Sequence, residues 1–311
     1  MTDIETFSPQ EYRGIEVSPI AGAIGAEIRG VDLTYPMDDP TFAALRQAFL
    51  DHLVIFLPQT KTLDPHQLKA FAGRFGSVDE APFVHPIKMP SEPGHPEVFN
   101  VVKESDHTSI NVGGFWHADV TYRERPHLGA VLYAKDAPSY GGDTMFANQY
   151  LAYETLPDDM KQRLLAMRAI HSSAMPYGRG EARFGAVGSG RAPSEADRAF
   201  AATGLDGPDA NVIETLHPVI RTHPDTGRKA LYVNRAFTSR FDGMSMEDSL
   251  PLLDELWHHA ARPEFTCRYR WTTNAVALWD NRVTQHYAIN DYFGQRRHMQ
   301  RIAIHEASRP A

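Results

Sequence analysis

Short β-type segments recur along the chain between glycines and prolines, and this spacing limits the folds open to it. Pro224-Asp-Thr-Gly227 has the composition of a tight turn and is expected to join two of these segments as a hairpin. The expected strands span 53–57, 97–102, 127–137, 219–222, 229–233, 265–271, 275–280 and 299–306. Many short strands with helices mostly elsewhere favour an antiparallel barrel or a jelly roll. The predicted fold class is therefore mainly β with flanking helices.

Helix signals occupy separate parts of the chain. From Pro40 to His52 apolar residues recur at three- and four-residue steps, which predicts an amphipathic helix. Asp64 followed by Pro65 is a strong helix start, and that helix is expected to end at Gly76. Further helices are expected around 150–154, 158–167 and 245–260, the last with Leu250, Leu253 and Leu256 on its inner side.

Composition excludes several classes of protein. The net charge is −8 and no basic run is present, which argues against a nucleic-acid partner. No stretch approaches the ~20 apolar residues of a membrane span, and the first thirty residues lack a secretion signal, so a cytoplasmic protein is expected. The one cysteine, Cys267, excludes an internal disulfide and is interpreted as a buried strand residue rather than a nucleophile.

Residues 178–211 differ from the rest of the chain. They are rich in Gly, Ala, Ser and Arg and show weak periodicity. Long loops of this kind are often functional, so we interpret the segment as an active-site lid, with a plain surface loop as the alternative. At 311 residues the chain is long enough for one large domain or two small ones.

Triplets of the form His-x-Asp or His-x-Glu offer paired metal ligands, but they also arise by chance. With 15 His and 39 acidic residues, chance gives about 2 such triplets in this chain. Two of the three present, His95-Pro-Glu97 and His223-Pro-Asp225, have a central proline and are interpreted as surface turns.

The third triplet, His117-Ala-Asp119, lies among aromatic and β-branched residues. If this segment is extended, both side chains point to one face and reach a single ion. The alternative is a hydrogen-bonded His–Asp pair at a strand end. His286 follows the apolar segment 275–279 and is a candidate third ligand, although a structural histidine is an alternative. Arg297, 11 residues later, carries a guanidinium that grips a carboxylate bidentately, and a salt-bridge arginine is its ordinary alternative.

Several motifs together resemble one family. In order, they are Trp116–Tyr122, Pro138–Thr144, Leu216–Val219, Arg221–Pro224, Val233–Thr238, Trp279–His286 and Gln295–Arg301. This set is similar to the taurine / 2,4-dichlorophenoxyacetate dioxygenase family of Fe(II)- and 2-oxoglutarate-dependent oxygenases. The region from Gly14 to Gly76 is similar to the family's N-terminal region. Motifs in the family's order along most of the chain are far more specific than any single triplet.

The resemblance implies a fold, a reaction and roles for named residues. The implied fold is one catalytic domain over residues 1–311 with a double-stranded β-helix core, a cupin-like jelly roll. His117, Asp119 and His286 match the iron ligands, and Thr144 and Arg297 match the positions that hold the distal carboxylate of 2-oxoglutarate. The implied reaction hydroxylates a small molecule with O₂ and yields succinate and CO₂. Dimers or tetramers are common in such a family, so a homo-oligomer is expected.

The resemblance also indicates an anionic substrate. Arg301 matches a residue that contacts the anionic head of the substrate, Phe237 matches an aromatic pocket wall, and His85 matches a polar contact near the pocket mouth. Gly113 and Gly114 stand where taurine enzymes carry a substrate-binding asparagine, and the nearest asparagine is Asn111. The substrate could therefore be a sulfonate, a sulfate ester or another organic acid, and an amino acid or a natural product is the remaining alternative.

Two other functions are compatible with the same residues. One is a catalytically inactive jelly-roll protein that binds a ligand or a structural metal. The other is a zinc hydrolase that uses the His/Asp/His set, but it gives no role to the carboxylate-gripping Arg297.

Overall fold

The computed structural model describes residues 12–78, 90–108, 112–174 and 212–311. Its strands are β1 (Glu16–Pro19), β2 (Ala26–Arg29), β3 (Val54–Leu57), β4 (Ser91–Glu92), β5 (His95–Lys103), β6 (His127–Asp136), β7 (Thr144–Asn148), β8 (Arg168–Ser172), β9 (Glu214–Pro218), β10 (Ile220–Thr222), β11 (Lys229–Leu231), β12 (Thr238–Phe241), β13 (Thr266–Tyr269), β14 (Val276–Asp280), β15 (Thr284–Ala288) and β16 (Arg297–His305). The helices are α1 (Asp39–His52), α2 (Pro65–Gly73), α3 (Gln149–Glu154), α4 (Asp158–Leu165) and α5 (Met246–Ala260).

Within the described residues, the largest sheet has eight strands in the order β1-β2-β3-β14-β6-β16-β5-β4. A second sheet, β13-β7-β15, faces it, and a third, β12-β8-β9, lies beside the hairpin β10-β11. Apart from the parallel pair β2–β3, neighbouring strands are antiparallel. Antiparallel strands in two facing sheets are the arrangement that the sequence predicted, a mainly β jelly roll with helical flanks.

Strand alternation divides the core between the two faces of the largest sheet. On β14, Val276 and Leu278 belong to the cluster that packs under α1 and α2, whereas Ala277 and Trp279 belong to the cluster between the facing sheets. In the second cluster Phe56 stacks on Tyr269 with ring centroids 3.8 Å apart. Because successive side chains of a strand point to opposite faces, one apolar strand serves both cores. This double burial fixes β14, and with it the turn that leads into β15.

Helix ends follow the expected capping chemistry. The carboxylate of Asp64 accepts the backbone N–H of Gln67, and the Gln67 side chain returns to the Asp64 N–H, a full capping box. This helix ends at Gly73, three residues before the predicted Gly76. In the described parts of the chain, no helix has the length and apolar character needed to cross a bilayer.

The surface-turn prediction was wrong for His95-Pro-Glu97 and correct for His223-Pro-Asp225 except that His223 is buried. His95 and Glu97 are strand residues of β5, and the buried Glu97 pairs with Lys69. His223 does precede a hairpin turn, but it is 1 % exposed and its Nε2 lies 2.9 Å from Asp280 Oδ2. A buried carboxylate at the end of β14 draws that imidazole inward, which the local sequence pattern does not reveal.

Candidate active site

Backbone pairing joins the two halves of the predicted metal site. The His117 N–H donates to the His286 carbonyl at 3.1 Å, and the His286 N–H donates to the His117 carbonyl at 2.8 Å. This isolated antiparallel bridge holds the loop before β6 against β15. His117 is extended as predicted, but the chain enters a turn at Asp119 rather than continuing as a strand. The two imidazoles are therefore brought together by main-chain hydrogen bonds, with ring centroids 4.1 Å apart.

Three candidate ligands converge on one point. The carboxylate of Asp119 lies between the imidazoles, with Oδ1 3.8 Å from His117 Nε2 and Oδ2 3.8 Å from His286 Nε2. The candidate ligand atoms all lie within 4.8 Å of one another, and the three residues are buried. A common point between them therefore lies within reach of ordinary metal–ligand bonds.

Both histidines are in the neutral form that can donate a ring-nitrogen lone pair to a metal. Burial lowers the pKa of His117 and lowers that of His286 well below its ordinary value, so both rings are neutral at pH 7. His117 Nδ1 lies 2.8 Å from the Phe115 carbonyl, which accepts its proton and leaves the lone pair on Nε2. A hydrogen bond of this kind commonly fixes the tautomer of a metal-bound histidine.

Asp119 is ionised despite its burial. Burial alone would raise its pKa, but the charge of Arg301, followed by that of the imidazoles once acid protonates them, outweighs that effect, and the pKa lies below its ordinary value. Arg301 Nη2 lies 2.6 Å from Asp119 Oδ2, an ion pair that is not aligned as a hydrogen bond. The carboxylate therefore carries its charge toward the imidazoles at neutral pH.

These residues fit a divalent transition metal. Two imidazoles and one carboxylate on one side of an ion form the facial set of non-haem Fe(II) oxygenases and leave coordination positions open. Asp119 Oδ2 is buried without a hydrogen-bond partner in the described residues. Unsatisfied buried polar atoms are rare, so a ligand set that lacks internal partners favours a bound ion.

Thr144 and Arg297 lie at the starts of β7 and β16 and line the same cavity as the three ligands. Arg297 is 7 % exposed, its Nε has no hydrogen-bond partner, and no carboxylate of a described residue forms an ion pair with it. Trp271 Nε1 donates to Thr144 Oγ1 at 2.9 Å, so the hydroxyl proton remains available for an acceptor. A buried guanidinium and a hydroxyl that line one cavity have the chemistry needed to bind a carboxylate.

Gly142 gives Arg297 its space. Its φ is +68°, and a Cβ built there would lie 3.3 Å from Arg297 Cδ. Both the left-handed backbone and the close approach of the arginine stem require glycine.

Arg301 and Phe237 also line this cavity. The remaining lining is apolar: Val101, Val112, Gly113, Val120, Leu132, Phe146, Trp279 and Ala288. Gly113 has φ +80°, and a Cβ there would lie 3.1 Å from His117 Cε1. Position 113 is thus unfavourable for any side chain in this protein. His85, Asn111 and the segment 178–211 lie outside the described residues.

Sequence reasoning missed residues that support the ligands. Asn281, in the turn after β14, accepts the Asp119 N–H at 2.7 Å and donates to the Asp119 carbonyl at 3.0 Å. The polar run Asp280-Asn281-Arg282 after an apolar strand is a signal that could have found it. Trp271 was also missed, because its partner Thr144 is distant in sequence.

Comparison with known proteins decides the family. The model of the family described as "Taurine catabolism dioxygenase TauD, TfdA family" matches residues 16–303. The chain belongs to this family. As a TauD/TfdA-family member it is a 2-oxoglutarate-dependent dioxygenase, an oxidoreductase that uses Fe(II), 2-oxoglutarate and O₂, and the jelly-roll prediction is confirmed. The catalytically inactive alternative is not favoured.

Two relatives and one solved structure are similar to this chain over most of its length. The chain is 35 % identical over 293 residues to an α-ketoglutarate-dependent sulfate ester dioxygenase of Pseudomonas putida, covering 93 % of this chain and 89 % of the relative. It is 34 % identical over 302 residues to an alkylsulfatase of Acinetobacter baylyi, covering 96 % of this chain and 87 % of the relative. A crystal structure of a taurine dioxygenase from Burkholderia xenovorans superimposes with a TM-score of 0.75 at 32 % identity, covering 96 % of this chain and 91 % of that one.

Proposed function

We propose that this TauD/TfdA-family dioxygenase hydroxylates a small monoanionic organic substrate, with alkyl sulfate esters as the first choice. When bound, Fe(II) with 2-oxoglutarate and O₂ supplies the oxidative chemistry that hydroxylates the substrate and releases succinate and CO₂. His117, Asp119 and His286 hold the metal through two neutral imidazoles and one carboxylate. Thr144 and Arg297 bind the distal carboxylate of 2-oxoglutarate.

The observation that carries the substrate class is the charge of the cavity. Its described charged lining consists of Asp119, Arg297 and Arg301, a net charge of +1 with both histidines neutral. The charges of a divalent cation and of the 2-oxoglutarate dianion cancel, so the net charge of the cavity remains +1. A monoanion with its head on Arg301 neutralises the site, and unpaired buried charge is strongly disfavoured.

The wall around Arg301 supports an alkyl portion next to that anionic head. Val101, Leu132 and Phe237 line the cavity with apolar surface. The amino group of an amine or a zwitterion finds no described polar partner among these apolar residues, and Gly113 supplies no side chain. The two relatives named for sulfate esters agree with this choice. Alkyl sulfonates and carboxylates are the alternatives within the same class. We assign His85 and Asn111 to substrate contacts on the resemblance alone.

Succinate release tests the proposal with substrates matched in chain length. An alkyl sulfate, the corresponding sulfonate, the carboxylate and the neutral alcohol are incubated with Fe(II), 2-oxoglutarate and O₂. We expect substrate-dependent succinate from the sulfate and none from the alcohol. Arg301→Met should remove this dependence, whereas Arg296→Met, an exposed arginine paired with Glu104, should retain it. Equal turnover of the alcohol and the sulfate would refute the charge argument.

We further propose that residues 1–311 form one catalytic domain of a cytoplasmic homo-oligomer, a dimer or tetramer, without nucleic-acid or membrane partners. The acidic net charge of −8 supports the absence of nucleic-acid and membrane partners. Light scattering coupled to size exclusion measures the oligomeric state, and a monomeric mass near 34.8 kDa would refute that part.

A further inference from the structure

The carboxylate of Asp119 is positioned through its backbone. Among the described residues, Asp119 Oδ2 has no hydrogen-bond partner, and its one ion pair with an arginine or lysine is that with Arg301. Its main-chain N–H and carbonyl, in contrast, are both bound by one buried side chain, Asn281. The direction in which the carboxylate points therefore depends on how rigidly the loop around Asp119 is held.

We propose that Asn281 is a positioning residue for the metal ligand Asp119, and that it acts together with an anchor on Thr121 to hold a strained loop from two sides. This inference rests on the metal site of the proposed function. Asn281 is 1 % exposed and lies in the turn between β14 and β15, and β15 carries His286. Its amide also donates to the His127 carbonyl at 3.2 Å, at the start of β6. One amide thus ties Asp119 to two central strands of the largest sheet.

Val120 shows why this loop needs external support. Its φ is +48°, in the left-handed region, where a β-branched residue is a genuine outlier. The residue is buried, lines the cavity and packs in a small cluster with Tyr122 and Phe237. Such a conformation persists only where the surroundings over-determine it, and such positions concentrate at functional sites. Without its restraints the loop would relax toward ordinary backbone angles and turn Asp119 away.

The opposite side of the loop is anchored on the third sheet. Thr121 Oγ1 accepts a hydrogen bond from Asn234 Nδ2 at 3.0 Å and lies 2.8 Å from His171 Nδ1. Burial holds the pKa of His171 well below its ordinary value, so its ring is neutral and accepts the hydroxyl proton.

Strand β9 adds two contacts farther along the same loop. Thr215 Oγ1 donates to the Tyr122 carbonyl at 2.6 Å, and His217 Nε2 lies 2.9 Å from the Arg123 carbonyl. The loop that carries Asp119 is therefore held between the largest sheet, through Asn281, and the third sheet, through these side chains. The strain at Val120 falls between the two sets of restraints.

Metal affinity tests the role of Asn281 without relying on turnover. Mn(II) is titrated into the wild type and into Asn281→Ala by calorimetry. Loss of an outer-shell partner of a ligand typically weakens metal binding by about 10–100-fold, and we expect a change of that order. Thr121→Val removes the opposite anchor with little change of shape, and should weaken Mn(II) binding by about 10-fold, the lower end of that range. This second variant carries the test if Asn281→Ala does not fold.

Asn148→Ala is the matched control. Asn148 is also buried and also makes three hydrogen bonds to backbone groups, those of Ala23, Tyr150 and Leu151, but none to a ligand. It should lower the melting temperature as much as Asn281→Ala does while binding Mn(II) like the wild type. Equal Mn(II) affinity in wild type and Asn281→Ala, or equal loss in both asparagine variants, would overturn the positioning role. A wild type that binds no Mn(II) would overturn the proposed metal site, and this inference with it.

Discussion

Arg301→Met should destabilise the metal-free protein and leave the metal-bound protein much less affected. Arg301 is the one arginine or lysine in ion-pair contact with Asp119 among the described residues, at 2.6 Å. Removing one partner of a buried ion pair costs about 3–5 kcal/mol, and protonation of Asp119 limits the loss to the lower end, about 3 kcal/mol. In a protein of this size that corresponds to about 5 °C in melting temperature.

A divalent metal supplies the positive charge that the variant lacks. The metal-induced rise in melting temperature should therefore be larger in Arg301→Met than in the wild type, by up to about 5 °C. Differential scanning calorimetry with excess Mn(II) and with excess chelator measures the two rises. Arg296→Met serves as the control, since exposed ion pairs contribute about 0–1 kcal/mol. A loss in Arg301→Met that is the same with and without Mn(II) would refute the reasoning.

Three further predictions concern other buried groups. Arg297→Lys should raise the KM for 2-oxoglutarate in the succinate assay by about 10-fold or more, because lysine cannot grip a carboxylate bidentately; an unchanged KM would contradict the assignment. Burial raises the pKa of Cys267 to about 12, so a thiol reagent should label it only after unfolding, and rapid native labelling would contradict its placement. Burial opposes ionisation of Asp280, but Arg282 and His223 outweigh it and hold its pKa below the ordinary value. The stabilisation that ionised Asp280 contributes to the fold is therefore complete above a pH of about 4 and is lost on further acidification. Asp280→Asn should lower the free energy of unfolding, measured in urea, by about 3–5 kcal/mol at neutral pH. The difference between the variant and the wild type should close in acid.

Much of the fold could be predicted where local chemistry decides it. The helix at 39–52, the capping box at Asp64 and the strand at 276–280 follow from apolar spacing and capping residues near in sequence. Strand β15 was missed because Thr284-Gln-His-Tyr-Ala288 shows no apolar alternation, although most of it is buried. Its strand character comes from pairing with β7, which is distant in the chain.

Helix α5 shows a smaller error of the same kind. Leu250 was expected on the inner side, but it is 54 % exposed. The buried face consists of Ser249, Leu252, Leu253, Leu256 and Ala260, which places Leu250 outside the apolar stripe. Three-residue spacing alone suits more than one face of a helix, and the neighbouring strands decide which face is buried.

Prediction of the site depended on separate motifs and not on any single triplet. One cavity is lined by all of these predicted site residues: His117, Asp119, His286, Thr144, Arg297, Phe237 and Arg301. The pairing of the two histidine segments was the central expectation, and the structure brings them together. The hydrogen bonds that Asn281 and His171 make to the loop around Asp119 could not be predicted, because these partners become neighbours only when the sheets assemble.

Anomalous diffraction from crystals grown with Mn(II) and 2-oxoglutarate tests the metal site most directly. We predict one Mn(II) peak per chain, at about 2.0–2.2 Å from the Nε2 atoms of His117 and His286 and from a carboxylate oxygen of Asp119. A peak bound by other residues, or an empty site between these three side chains at saturating Mn(II), would contradict the account.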